Sequence, residues 1–288
     1  MNILDTYGDI EALCAGGSFA MDPWSDYIRS VSPSLEALLW EDVKQTLATG
    51  AVTFDKDYLP VLNGVWGNPA ARAEAHRSFL ALTDGLEQTI GDRFGRCPDC
   101  DIIFYLGLCN GAGWVTELDG RRVILLGLEK IVELGWTDRR AMAGLIDHEL
   151  GHAYQGQFGV LKRETATPRE RFLWQLFTEG IAMVFEQTLL EDPQAFHQYD
   201  NAWRVWCDRH FREIRSDFEA DLDTMTFADQ RYFGDWVRYR GHGDVGYYLG
   251  ARLIRYAMAE TAFDELICWD PDRVQALWQA FLTADWFT

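Results

Sequence analysis

The sequence predicts an α+β protein that is mainly helical, with a small β-sheet between two helical regions. Two short apolar segments, DIIFYLGLC (101–109) and RRVILLGL (121–128), are bounded by glycine or aspartate and are typical of strands. The residues on either side of them carry the apolar spacing and the capping residues of helices. The sequence thus indicates a helical N-terminal region, residues 1–96, and a second region, residues 97–288, or one continuous domain.

The composition argues against several classes of protein. The 288 residues are 48% hydrophobic and 14% aromatic, which is enough for a sizeable buried core. A net charge of −19 disfavours binding to nucleic acids and to anionic membranes, because like charges repel. The chain has no apolar run of membrane-spanning length, and its acidic first residues are unlike a signal peptide. We therefore expect a cytoplasmic protein whose six cysteines are reduced.

Two helical stretches are predicted in the first hundred residues. In the first, residues 32–50, Ser32 is the expected N-cap and Gly50 the stop signal. The second, residues 68–95, is expected to break near Gly85.

The two strands follow these helices. They are joined by residues 110–120, in which Asp119-Gly120 has the sequence of a hairpin turn. Small residues in LCNGAGW (108–114) would allow another chain to approach closely.

The stretch DHELGHAYQ (147–155) lies in the first helix after the strands. Thr137 or Asp138 is expected to cap this helix. His148 and His152 lie about 40° apart on it, so both imidazoles leave the same side of one rigid element. That arrangement suits a zinc ion, and Glu149 is suitably placed to be the general base of a metal-assisted hydrolase. The alternative is a solvated helix face that carries two histidines. An apolar stripe beside them supports the helix: Met142, Leu145, Ile146, Leu150 and Ala153.

The next helix, predicted within residues 167–192, offers a third ligand. It opens with a capping box, Thr167 to Glu170, and its face is strongly apolar. Glu179 interrupts this apolar sequence and is followed by Gly180. A buried carboxylate is costly without a compensating charge, which a metal ion would supply, and the glycine would let a neighbouring helix come close. The alternative is an exposed glutamate. His197, further along the chain, is predicted to be a surface side chain.

These motifs resemble the gluzincin metallopeptidases. His148-Glu149-Leu150-Gly151-His152 matches their HExxH motif, and Thr178-Glu179-Gly180-Ile181-Ala182 is similar to their ligand helix. A closer resemblance is to a family of uncharacterised bacterial proteins predicted to be zinc-dependent proteases, which add a Gly-Tyr-x-x-Gly helix, here Gly246 to Gly250. The resemblance covers roughly residues 100–260 and implies a zincin-like core flanked by helical lobes. The Gly-x-Met-x-Asn motif of aminopeptidases is absent from the sequence, so aminopeptidase activity is not implied.

The resemblance implies a role for each residue. His148, His152 and Glu179 would bind Zn²⁺, and Glu149 would be the general base for a zinc-activated water. Tyr247 of the Gly-Tyr-x-x-Gly motif would stabilise the oxyanion, with Tyr248 and His242 as alternatives.

Two further expectations concern Tyr247 and the first strand. Tyr247 could instead be a tyrosine packed on the core. The strand at residues 101–109 is expected to be an edge strand that lines an extended peptide substrate.

The sequence leaves three functions open. The first is a zinc-dependent peptidase or related amide hydrolase that acts on a peptide or protein, and the intact Glu149 favours it, because a structural zinc needs no base. The second is a catalytically silent protein that keeps the zincin fold as an interaction module. The third is a zinc hydrolase of a non-peptide substrate.

Overall fold

The computed structural model describes residues 1–50, 52–234 and 236–284. It divides into two compact units, Met1–Glu149 and Leu150–Thr288. Helices predominate and one small mixed sheet accompanies them, which confirms the α+β, mainly helical fold class. The sequence-based boundary between residues 96 and 97 stays a prediction. None of the helices in the described part of the chain is both long and apolar enough to cross a bilayer.

The first unit contains the sheet, whose strand order is β1-β2-β4-β3. The first three strands of that order run parallel, and β3 runs antiparallel to β4. The strands are β1 (Ile3–Asp5), β2 (Asp101–Tyr105), β3 (Gly113–Leu118) and β4 (Arg121–Gly127).

Two expectations about this sheet are wrong. The strand that starts at Asp101 is not an edge strand, because β2 pairs with β1 on one side and with β4 on the other. The two predicted strands do not form a hairpin with each other, because they are parallel and the segment between them contributes β3. The edge of the sheet beside β4 is therefore β3. The first hundred residues also contribute β1, which the helical prediction did not include.

The Asp119-Gly120 turn is confirmed as the hairpin turn between β3 and β4. Both residues have positive φ, 51° for Asp119 and 77° for Gly120, as a type I′ turn requires. The Asp119 carboxylate accepts hydrogen bonds from the hydroxyls of Ser32 (2.6 Å) and Ser34. The helix after this segment begins at Leu35 with Ser34 at the N-cap position, so Ser32 is not the N-cap that the sequence suggested.

Helices make up most of the rest of the first unit. They are α1 (Tyr7–Cys14), α2 (Met21–Val31), α3 (Leu35–Ala48), α4 (Leu59–Gly67), α5 (Pro69–Thr83), α6 (Leu86–Phe94) and α7 (Leu128–Leu134), with a π-helical turn at Phe54–Tyr58. Gly50 follows the end of α3 with a φ of +72°, and Gly85 separates α5 from α6 with a φ of +74°. Both glycines adopt the left-handed conformation that ends a helix, which confirms the predicted stop and break.

The second unit is helical. Helix α8 (Arg139–Phe158) crosses the boundary between the units and is followed by α9 (Pro168–Leu189), α10 (Asn201–Asp221), α11 (Val245–Ala257), α12 (Phe263–Leu266) and α13 (Pro271–Thr283). Helices α9 and α11 touch backbone to backbone: a Cβ added to Gly180 would lie 2.4 Å from the carbonyl oxygen of Gly250. The prediction that Gly180 lets a neighbouring helix come close is confirmed.

Candidate metal centre

Helix α8 begins as the sequence predicted. The carboxylate of Asp138 accepts hydrogen bonds from the backbone N–H groups of Arg140 (2.8 Å) and Ala141 (3.1 Å). Asp138 therefore satisfies two of the N–H groups that the first turn of a helix leaves without an internal partner. The apolar stripe of this helix is buried along its length, and it comprises Met142, Leu145, Ile146, Leu150 and Ala153.

The motif residues beside the stripe are not on a solvated face. His148 is 4% exposed and Glu149 is 6% exposed. The imidazole of His152 keeps 14% of its surface accessible. Two polar residues of one helix are thus buried together with its apolar stripe, which requires polar or charged partners nearby.

Helix α9 supplies one such partner. The capping hydroxyl of Thr167 accepts a hydrogen bond from the N–H of Glu170 (3.2 Å), as predicted. The Glu170 carboxylate in turn binds the N–H of Ala166 (2.7 Å), one residue before the expected one. Glu179 lies in the middle of this helix, among buried apolar residues, with 17% of its side chain exposed.

A close approach of α8 and α9 joins His152 and Glu179. Gly151, within the HExxH motif, faces α9 so closely that an added Cβ would lie 2.8 Å from the Cα of Ala182. One residue later, His152 Nε2 lies 3.3 Å from Glu179 Oε2. The glycine in the motif therefore permits the close approach of α8 and α9 next to these two side chains.

The ligand atoms of His148, His152 and Glu179 all lie within 4.8 Å of one another. A tetrahedral ion with ligands about 2.0–2.1 Å away holds neighbouring ligand atoms about 3.3 Å apart. The His152 and Glu179 atoms are separated by 3.3 Å, so this pair already has the spacing of one edge of such a tetrahedron. Two imidazoles and one carboxylate are also a donor set that zinc accepts. The cluster could hold a metal ion.

Glu149 has a different environment from the three grouped residues. A Cβ added to Gly113 would lie 2.7 Å from Glu149 Cγ and 2.9 Å from Glu149 Oε1. Gly113 is the first residue of the edge strand β3. The carboxylate of Glu149 thus lies directly against the start of that strand, and only a glycine leaves room for it.

A second group of ligand atoms also lies within 4.8 Å of one another: those of His148, Glu186 and His197. Glu186 is fully buried and accepts hydrogen bonds from the backbone N–H of His197 (3.1 Å) and from its ring Nδ1 (2.9 Å). The prediction that His197 is a surface residue is wrong, since 3% of its side chain is exposed. Both oxygens of the Glu186 carboxylate accept hydrogen bonds from His197. The 3.3 Å between His152 Nε2 and Glu179 Oε2 is instead the spacing of two ligands of one ion, so the first group is the better candidate for a metal site.

Sequence reasoning missed Glu186, although a signal was available. It follows Glu179 by two helical turns, so both carboxylates lie on the same side of an otherwise apolar helix. A carboxylate beside a histidine ligand commonly fixes the orientation of the imidazole ring. Its full burial next to the first histidine of the motif is compatible with that supporting role.

The three predicted oxyanion residues have separate surroundings. The hydroxyl of Tyr248 donates to Asp208 Oδ1 (2.8 Å), and its ring is almost fully buried. The His242 ring stacks on Trp206 at a centroid distance of 3.8 Å. Tyr247 is half-buried, and its ring meets the Phe233 ring edge-on at 5.8 Å. Their catalytic roles stay predictions.

A further acidic residue, Glu129, holds the loop before β3. It is fully buried, and its carboxylate accepts hydrogen bonds from the N–H groups of Gly107 (2.8 Å) and Cys109 (3.0 Å). Burial raises the pKa of Glu129 to about 7, against the lowering effect of these N–H groups. The sequence contained a signal for this buried carboxylate, since Glu129 directly follows the apolar segment 121–128 that was predicted to be a strand.

Comparison of the chain with models of protein families, with curated proteins and with solved structures finds no match. A functional proposal for this chain therefore rests on the geometry of its described residues.

We predict that Glu129→Gln flattens the pH dependence of stability between about pH 4.5 and pH 7. The folded-state pKa of about 7 lies above the ordinary value of 4.5, so the folded protein binds this proton more tightly. The wild-type free energy of unfolding should therefore fall as the pH rises through this range, by at most about 1.4 kcal/mol per pH unit.

Urea denaturation at a series of pH values measures this slope. The control is Glu133→Gln, which removes an exposed carboxylate from the same helix and should keep the wild-type slope. Equal slopes in the wild type and in Glu129→Gln would show that Glu129 does not titrate in this range.

Proposed function

We propose that this protein is a zinc-dependent metallopeptidase or a related amide hydrolase. The observation that carries the proposal is the grouping of His148, His152 and Glu179 within 4.8 Å, next to a buried acid that is not part of the group. His148, His152 and Glu179 would hold the zinc, and Glu149 would be the general base. A purely structural zinc site usually has four protein ligands, whereas three ligands and a base are typical of catalytic sites.

Zinc, when bound, would polarise the scissile carbonyl and make the attacking water more acidic. Glu149 takes the proton of that water and returns it to the leaving amine, so that one carboxylate serves first as base and then as acid. Glu149 is 6% exposed, so bulk water has little access to the carboxylate that would accept this proton.

The edge strand β3 is the part of the sheet that could hold an extended peptide. Among the described residues, β3 pairs with β4 only, so the main-chain groups on its other side can bind a further strand. The contact between Gly113 and Glu149 brings the proposed base to the start of this strand. This arrangement supports a peptide as the substrate over a small non-peptide molecule.

Of the two neighbouring tyrosines, Tyr247 suits the oxyanion role better. The Tyr248 hydroxyl already donates to Asp208, and burial raises the pKa of Tyr248. Arg252 also donates to that hydroxyl oxygen (3.2 Å). Tyr248 is thus engaged in a network with other residues of the second unit, whereas the half-buried Tyr247 keeps part of its surface accessible.

The first test is the metal content. Protein purified with zinc supplied and without chelators should contain about one zinc per chain, because three ligands form a complete catalytic site. Glu179→Ala should lose most of it, whereas Glu149→Gln should keep it, because Glu149 is not a ligand. Elemental analysis by mass spectrometry measures all three proteins. A wild type free of zinc, or a Glu179→Ala protein that retains it, would contradict the proposal.

The second test separates an enzyme from a silent zincin-like protein. Glu149→Gln should lower the rate of peptide cleavage by about 10²–10⁴-fold, because it removes the general base. Cleavage of a mixed peptide library, followed by mass spectrometry, provides the rate. The control is Glu164→Gln, which removes an exposed carboxylate and should cleave like the wild type. No cleavage by the zinc-loaded wild type would favour an interaction module, and equal rates in Glu149→Gln would exclude Glu149 as the base.

The third test concerns Tyr247. Tyr247→Phe should lower turnover by about 10²–10³-fold with little change in zinc content or melting temperature, since an oxyanion donor acts mainly in the transition state. Tyr248→Phe is the matched control: it removes a buried hydrogen bond to Asp208 and should lower the melting temperature. A Tyr247→Phe protein that loses stability but keeps its turnover would show that Tyr247 is a packing residue.

A further inference from the structure

The second unit contains a cavity that shares no residue with the metal group. Its volume is about 650 Å³, within the range of small-molecule sites. It lies at the end of α9 and along α10 and α11. Its polar lining consists mainly of Arg204, Asp208, Arg252, Arg255 and Gln187.

The charges that line this cavity do not balance. Asp208 forms ion pairs with both Arg204 (2.6 Å) and Arg252. Two nitrogens of Arg255 instead donate hydrogen bonds to one neutral acceptor, Gln187 Oε1. The distances to this oxygen are 3.0 Å from Nε and 2.6 Å from Nη2. Three guanidinium groups and one carboxylate leave an excess of two positive charges in the lining. That excess stands out in a chain with a net charge of −19.

Arg255 is held in place although its position is unfavourable for a cation. Burial, and next the charge of Arg252, lower the pKa of Arg255. The amide nitrogen of Gln187 donates to the carbonyl oxygen of Ala195 (2.9 Å), which turns Gln187 Oε1 towards Arg255. A partly buried cation that is fixed by a neutral group beside another cation is poorly compensated, and a bound anion would supply the negative charge.

Apart from Gln194, the rest of the lining is apolar or aromatic. Phe196, Phe211 and the ring of Tyr248 form part of the wall. Such a wall excludes water from one side of the cavity and leaves room for more than a bare inorganic ion.

We propose that this cavity binds an organic anion, with Arg255 and Arg252 on its acidic group and Phe196 and Phe211 against its apolar body. The acidic group is a carboxylate or a phosphate, since both accept the paired N–H donors of a guanidinium group. This site stands apart from the proposed hydrolase activity and does not depend on it.

Isothermal titration calorimetry of the full chain tests the ligand class with four probes: benzoate, phenyl phosphate, inorganic phosphate and the neutral benzamide. We expect saturable binding of at least one aromatic anion, tighter than that of inorganic phosphate, and none of benzamide. Tighter binding of benzoate identifies a carboxylate ligand, and tighter binding of phenyl phosphate identifies a phosphate ligand. The proposal is overturned if no anion binds saturably, if benzamide binds equally well, or if inorganic phosphate binds at least as tightly as both aromatic anions.

Variants at matched charge test the assignment to Arg255. Arg255→Gln should weaken binding of the preferred anion by at least about tenfold, because it removes a charged hydrogen-bond donor. Arg209→Gln removes the same charge from an exposed position on α10 and should bind like the wild type. Arg255→Lys keeps the charge without the paired donors and should give an intermediate affinity.

If anion binding is weakened equally in Arg255→Gln and Arg209→Gln, the loss of overall positive charge explains the effect, and the proposal is overturned. Undiminished binding in both Arg255 variants would overturn it as well. Melting temperatures of the variants verify folding, and Arg255→Gln should be at least as stable as the wild type, because it removes a partly buried cation next to Arg252.

Discussion

Burial of polar groups on helix α8 is the constraint on which the rest of the structure depends. One side of this helix carries an apolar stripe, which is buried because removing apolar surface from water is favourable. His148 and Glu149 are buried as well. Taking imidazole and carboxylate groups out of water is costly unless opposite charges or hydrogen bonds replace the lost hydration. The neighbourhood of α8 must therefore bring other polar groups to these residues. The His152 imidazole on the same helix is paired in this way with the Glu179 carboxylate, and the same two groups could also hold a metal ion.

Helix α9 meets this requirement through its own sequence. Glycine and alanine next to Glu179 remove the bulk that would keep neighbouring helices away, on the side of Gly151 and on the side of Gly250. The small residues that allow close helix contact and the carboxylate of Glu179 thus lie within a few residues of α9. The carboxylate comes near His152 only because the helices lie so close together. Glu186 continues the same side of the helix and binds His197. The apolar remainder of α9 keeps water away from these carboxylates, and this strengthens their interactions with the nearby histidines.

The parts of the structure that the sequence predicted well are those in which the signal is local. The cap of α8, the glycine break at Gly85 and the Asp119-Gly120 turn each depend on a few adjacent residues, and all three are observed. Strand β1 has only three residues and pairs with residues 102–104, almost a hundred positions away, so no local pattern announces it. The same holds for His197, which lies between α9 and α10, and for Arg255 on α11, because the environment of each is created by a contact with a distant residue of α9. The grouping of His148, His152 and Glu179 was predictable because two of these residues share one helix and the third interrupts an apolar helix.

The order of the strands also has a consequence for how the first unit acquires its fold. Strands β3 and β4 are joined by a two-residue turn, and a hairpin of this kind forms in about 1–10 μs. Strands β2 and β4 are parallel, so they can pair only after the hairpin segment has folded back, and β1 must pair with a strand almost a hundred residues away along the chain. Closing such long loops costs entropy before any pairing compensates for it, so long-range parallel strands assemble late. We therefore expect the edge that carries Gly113 to belong to the part of the sheet that forms first, and β1, at the opposite edge, to complete the sheet.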